Sequence, residues 1–165
     1  MSYTAVDAGA VALWLRLCTA LRCLKLNGCA HLASGEPPAP APPAPAYPAD
    51  ADGARARAAC ALDCVGAHAS LCQLSLVGCN ALKCLSLAGS TTLVDVNVRS
   101  CGALRALAVD GCLALRTLTA CNCPELALVA VSRCAALDAL DVRHCRVGAE
   151  LQLGDLAKAR RVLRM

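Results

Sequence analysis

An eleven-residue period constrains the fold of this chain more than any other feature of its sequence. The unit has the form Leu-x-x-Leu-x-Leu-x-x-Cys, and seven variants of it follow one another from Leu71 to Cys145 without a change of register. Apolar residues two apart at the centre of a unit have the spacing of a strand and not that of a helix. The period therefore predicts short strands, each followed by a turn that points its cysteine inward.

Two units together make a coil of about 22 residues, which lies in the range of leucine-rich repeats. We therefore predict a leucine-rich-repeat solenoid with few helices. In it, short parallel strands stack at about 4.8 Å, and alternate units form two opposite sheets. The same frame continues outside the central block, upstream in Ala10/Leu13/Leu15/Cys18 and Leu21/Leu24/Leu26/Cys29, and downstream in the degenerate unit Gly148/Leu151/Leu153/Leu156.

The pattern divides the chain into four parts. Residues 1–32 are predicted to be N-terminal repeat units, and residues 60–156 the main solenoid. Residues 33–59 interrupt the repeats and hold seven of the eight prolines, so we expect a disordered, extended insertion. It is either a linker or, through its Pro-x-x-Pro spacings, a ligand for a polyproline-binding partner. Residues 157–165 are basic and are expected to form a cap or tail, as a short helix or a frayed end.

Most of the cysteines fall on the period. Eight of the fourteen occupy the corner position that ends a unit: Cys18, Cys29, Cys79, Cys101, Cys112, Cys123, Cys134 and Cys145. A small buried thiol packs like an apolar group and donates weakly to a carbonyl, so we expect a structural role. No Cys-x-x-Cys occurs, and no metal or cofactor site is predicted. So many unpaired thiols indicate a reducing compartment. We expect a cytoplasmic protein, with the nucleus and the cytoskeleton as alternatives.

No arrangement of residues indicates an enzyme, since the chain has no nucleophile–base pair, glycine-rich phosphate loop or paired carboxylates at a suitable spacing. The net charge is +4, and the arginines are spread over the repeats, which disfavours nucleic-acid binding. No apolar run is long enough to span a membrane. We expect a monomer that binds another protein.

The two predicted sheets differ in their outward residues. The strands that begin near Leu71, Leu93, Leu115 and Leu137 present charged, amide and hydroxyl groups, whereas the alternate strands present mostly alanine and serine. Solenoids bind partners on such extended surfaces. We therefore predict a partner-binding face; the alternative is that these are ordinary solvated strand residues. The predicted binding residues are Asp95, Asn97, Arg99, Thr117, Thr119, Asp141 and Arg143.

Two units carry a resemblance to a known family. Leu71-Cys-Gln-Leu-Ser-Leu-Val-Gly-Cys79 and Leu104-Arg-Ala-Leu-Ala-Val-Asp-Gly-Cys112 resemble the cysteine-containing repeats of the F-box/leucine-rich-repeat family, in its F-box/LRR-repeat protein 15-like variant. The resemblance implies a repeat domain that recruits substrates to a Skp1–cullin–F-box (SCF) ubiquitin ligase for proteasomal degradation. This chain has no recognisable F-box. The resemblance therefore implies contact with Skp1–cullin components through another chain or through a missing F-box.

A second class of function stays open from the sequence. Leucine-rich-repeat proteins also serve as structural scaffolds, for example in cytoskeletal or axonemal assemblies. Co-purification with Skp1 or a cullin would favour the ligase, and fractionation with the detergent-insoluble cytoskeleton would favour the scaffold.

Overall fold

The chain folds into a β-solenoid of parallel strands that repeat every 22 residues. The computed structural model describes residues 8–29, 32, 68–146, 150–153 and 161–163. In this part of the chain the strands form two parallel sheets, here called sheet A and sheet B. The predicted architecture of stacked short strands, with an eleven-residue half-repeat and few helices, is confirmed.

From β2 onward, the described strands alternate between the two sheets along the chain. A helix, α1 (Ala8–Leu17), comes first. Sheet A has the order β1-β2-β4-β6-β8-β10, with β1 Cys23–Lys25, β2 Gln73–Ser75, β4 Asp95–Asn97, β6 Thr117–Thr119, β8 Ala139–Asp141 and β10 Arg161–Leu163. Sheet B has the order β3-β5-β7-β9, with β3 Cys84–Ala88, β5 Ala106–Asp110, β7 Leu128–Ser132 and β9 Glu150–Leu153.

The strands pair in a constant register. Leu74 lies opposite Val96 in sheet A, and Leu85 lies opposite Leu107 in sheet B, in each case 22 residues further along the chain. The exception is the first pair, in which Leu24 lies opposite Leu74. These two residues are 50 apart in sequence, which is 28 residues beyond the 22 of one coil. The predicted insertion 33–59 falls between these strands, outside the described residues.

The apolar positions of the period form the core between the two sheets. In β4, β6 and β8 the central residue is buried and its neighbours are half-buried, which is the alternation expected of a strand with one face inward. The inward side chains stack coil upon coil, and many of them, Leu74, Leu107 and Leu118 among them, have almost no exposed surface. Each such leucine contributes roughly 1.5–3 kcal/mol through burial.

A left-handed residue precedes each corner and turns the chain into the next half-coil. Glycine adopts such a positive φ at little cost because it has no Cβ. The positions on sheet A are Gly28, Gly78, Ser100, Asn122 and His144, and those on sheet B are Gly89, Gly111 and Arg133, with φ between 52° and 72°. The backbone N–H groups of six of these residues, all but Arg133 and His144, are seen to donate to the next coil; for example, Gly78 donates to the Arg99 carbonyl at 2.9 Å. The leucine period does not reveal this recurring position, because glycine, serine, asparagine, histidine and arginine all occupy it.

Six of the eight predicted corner cysteines are buried in the core, Cys145 is half-buried and Cys18 is exposed. Cys79, Cys101 and Cys123 have no exposed surface. Each donates to a carbonyl of the preceding coil, to Leu26 at 3.0 Å, Leu76 at 3.1 Å and Val98 at 3.3 Å, respectively. Each of these thiols therefore both fills its corner and links two successive coils.

The two ends of the repeat depart from the sequence prediction. Residues 8–17 form α1 and not a repeat unit, because Val11 and Leu15, four residues apart, pack into the core while Leu13 is exposed. Cys18 follows the helix and is exposed, so it is not a buried corner residue. At the other end, Arg161–Leu163 forms β10 opposite β8 and not the short helix that we considered. Two further cysteines, Cys60 and Cys64, and the histidine His31 lie outside the described residues.

Candidate functional site

The seven predicted binding residues lie together on the outer side of sheet A and its turns. Parallel pairing in register aligns equivalent positions of successive coils into three rows, which we call the polar face. Row one is Cys23, Gln73, Asp95, Thr117 and Ala139; row two is Lys25, Ser75, Asn97, Thr119 and Asp141; row three is Asn27, Val77, Arg99, Cys121 and Arg143. Neighbours within a row are one coil apart, about 4.8 Å.

The two carboxylates of the polar face are engaged within the protein. Thr117 donates its hydroxyl to Asp95 on the adjacent coil. Arg143 donates from Nε and Nη2 to the two oxygens of Asp141, at 2.9 Å each. This hydrogen bond from the guanidinium lowers the pKa of Asp141 below its usual value. Asp141 is therefore held ionised at neutral pH, and hydrogen bonds hold both carboxylates in place.

Short side chains of row two and row three brace the turns after the strands. The Asn97 side-chain oxygen accepts a bond from the backbone N–H of Arg99 at 3.1 Å, and Asp141 accepts one from Arg143 at 3.2 Å. In the first coil, Asn27 accepts from the Val77 backbone at 3.1 Å. Such local bonds stabilise turns. They fix the backbone from which the two arginines project.

Sequence reasoning missed the N-terminal part of this face. A shallow depression of about 310 Å³ lies over β1, β2 and β4. Lys25 and Asn27 from the first coil line it together with Gln73, Ser75 and Asn97. Lys25 and Asn27 could have been placed here from the pairing of Leu24 with Leu74. The sequence does not show this pairing directly, because 28 extra residues separate the two strands.

Sheet B offers a different surface. Its outward residues are mostly alanine and serine, as predicted, but Cys84 and Ser86 of β3 are buried, whereas Ala106 and Ala108 of β5 are half-buried. One acid on this side, Asp110, accepts hydrogen bonds from the Ser132 hydroxyl at 2.8 Å and from Nε of Arg133 at 2.7 Å. Sheet B thus presents fewer polar groups than sheet A.

Burial of the corner thiols Cys79, Cys101 and Cys123 limits their access to reagents. Burial raises the pKa of Cys79 and of Cys29. The Cys101 thiolate could accept a hydrogen bond from the Cys123 thiol, which lowers the pKa of Cys101 and raises that of Cys123 to about 11. Cys79, Cys101 and Cys123 thus form a buried row across successive coils. Among the described residues every cysteine is a free thiol. No group of three or more histidine, cysteine or carboxylate side chains in those ranges could hold a metal ion.

Comparison with known proteins adds no relative. No family model matches the chain, and no curated protein or solved structure matches it. Within the described ranges, no helix has the length and apolarity that crossing a bilayer requires. The fold and the polar face together define the class: a short-repeat β-solenoid with two chemically unlike faces.

Proposed function

We propose that this chain is a protein-binding module and that the polar face is its recognition surface. One observation carries the proposal. The outward positions of sheet A hold carboxylate, amide, hydroxyl and guanidinium groups in aligned rows, whereas the equivalent positions of sheet B hold mostly alanine and serine. Aligned, chemically varied groups can make directional bonds to one partner at several coils, which is how solenoids use their extended surfaces.

Within that function we propose substrate recognition for an SCF-type ubiquitin ligase. Support comes from the resemblance of the units Leu71–Cys79 and Leu104–Cys112 to the repeats of F-box/leucine-rich-repeat proteins. In such a ligase the polar face would bind the substrate, and contact with Skp1 would come through an F-box or another chain. The free thiols of the described residues suit a reducing compartment, and we propose the cytoplasm.

The recognition surface is tested with a matched pair of substitutions. Thr119→Tyr places a bulky neutral ring on row two of sheet A, and Ala108→Tyr places the same ring on an outward, half-buried position of sheet B. Tyrosine suits a strand, so both variants should fold, which circular dichroism checks. Partners captured by the wild-type chain and identified by mass spectrometry should be lost with Thr119→Tyr and kept with Ala108→Tyr. Retention by both variants would contradict the proposal.

The same capture experiment also tests the ligase assignment, through the identities of the captured proteins. Skp1 or a cullin among the captured proteins would support it. Capture of cytoskeletal or axonemal proteins without Skp1 and cullin would replace it with the scaffold function. The recognition surface would still stand in that case, because the Tyr pair tests the face independently of who binds it.

A further inference from the structure

Some charged side chains of the polar face have a hydrogen-bond or ion-pair partner among the described residues, and others do not. Asp95 accepts from Thr117, and Asp141 is paired with Arg143. Lys25 and Arg99 are exposed, and neither forms an ion pair with another described residue. Among the described residues of this face, Lys25 and Arg99 therefore outnumber Asp95, whose bond from a neutral hydroxyl leaves its negative charge in place.

Arg99 is the better placed of these two cations. Its turn is held by the bond between the Arg99 backbone N–H and Asn97. The adjacent coil presents the outward position of Thr119, whose hydroxyl makes no hydrogen bond within the described part of the chain. Arg143 lies two coils further in the same row, about 10 Å away along the stack. The Arg99 guanidinium and the neighbouring Thr119 hydroxyl suit a carboxylate, whereas Arg143 is already engaged by Asp141.

We propose that the polar face binds an acidic segment of a partner protein, with a carboxylate of that segment on Arg99. The inference rests on the proposed function, since it names the chemistry of the partner on the same surface. A protein segment fits better than a nucleic acid. The fixed carboxylates of Asp95 and Asp141 would repel a continuous row of phosphates, whereas the carboxylates of a peptide can be spaced between them.

The test is fluorescence anisotropy of the full chain with three labelled peptides of equal length that alternate serine with glutamate, glutamine or lysine. A short single-stranded oligonucleotide is the fourth probe. The glutamate peptide should bind most tightly, and its affinity should fall when salt is raised because exposed charges are then screened. Tighter binding of the lysine peptide or of the oligonucleotide, or equal binding of all the peptides, would overturn the inference.

Two substitutions that each remove one positive charge show where the glutamate peptide binds. Arg99→Ala and Arg105→Ala each remove one exposed positive charge, but Arg105 precedes β5 of sheet B. Arg99→Ala should weaken the glutamate peptide about two- to five-fold, and Arg105→Ala should leave it near the wild-type affinity. Equal losses in the two variants would show a general effect of net charge and would refute the site.

A third variant predicts a gain. Asp95→Asn removes a repulsive charge from row one, and its amide oxygen can still accept from Thr117. The glutamate peptide should therefore bind more tightly to this variant, and weaker binding would count against the inference. If no peptide binds but Thr119→Tyr still abolishes capture of the native partner, the recognition surface stands and only its acidic specificity fails.

Discussion

Replacing Cys101 by alanine should destabilise the solenoid by about 2 kcal/mol. The side chain is fully buried, and its thiol donates to the Leu76 carbonyl at 3.1 Å. Loss of the sulfur removes about one methylene-sized buried group and leaves a small cavity, which together cost about 1–1.5 kcal/mol. The Leu76 carbonyl keeps a bond from the Cys79 backbone at 3.3 Å, so the lost thiol bond adds only about 0.5–1 kcal/mol.

Two further variants separate the hydrogen bond from the packing. Cys101→Ser keeps a donor at the corner and should cost about 1 kcal/mol. The corner tolerates a hydroxyl, because Ser90 occupies the equivalent place after β3, is buried and accepts from the Leu93 backbone at 3.2 Å. Cys23→Ala changes an exposed thiol on the surface and should cost less than about 0.5 kcal/mol.

Urea denaturation followed by circular dichroism measures all three free energies of unfolding. The slope against urea should be unchanged, since the substitutions alter few buried groups. The reasoning would be refuted if Cys101→Ala were as stable as Cys23→Ala, because the corner thiol would then neither pack nor link the coils.

Three other predictions follow from burial, charge and backbone conformation. Iodoacetamide should alkylate Cys23 much faster than Cys123, because Cys123 is buried and its pKa is raised to about 11; equal rates by mass spectrometry would contradict this. An NMR titration should find the pKa of Asp141 below the usual aspartate value, and in Arg143→Ala this pKa should lie nearer to the usual value. The contribution of Asp141 to stability is present at pH values above the usual aspartate pKa and is lost as the pH falls through the lowered pKa. Gly78→Val should cost about 1–2 kcal/mol in the same urea assay, because its φ of 71° disfavours a side chain; Gly78→Asn should cost less, and the reverse order would be inconsistent with a left-handed turn.

The coil and its two faces could be predicted from the sequence because a strand alternates with a strict period of two. Once Leu74, Val96 and Leu118 are assigned to the core, their neighbours must point outward, and a constant step of 22 aligns them. The specific pairings could not be predicted in this way. Arg143 pairs with an acid of its own coil, whereas Asp95 bonds across to the next coil. Such choices depend on rotamers, which the period does not encode.

At the two ends of the described stack, the eleven-residue period no longer predicts the secondary structure correctly. The segment around Val11 and Leu15 satisfies both strand and helix spacing. A helix makes its own backbone hydrogen bonds, whereas another strand beside β1 would leave an unpaired edge. At the other end, Arg161–Leu163 keeps only one apolar position of the frame, Val162 opposite Leu140, yet it continues the step of 22 from Ala139. There the register of the preceding coils outweighs the local sequence.

Site-specific photo-crosslinking tests the central claim most directly. A photoreactive amino acid replaces Thr119 on sheet A in one variant and Ala108 on sheet B in the other, and both chains are irradiated with the native partner bound. The recognition surface predicts crosslinked partner from position 119 and little or none from position 108. Crosslinking from position 108 alone, or equally from both positions, would contradict the assignment of sheet A as the face that binds.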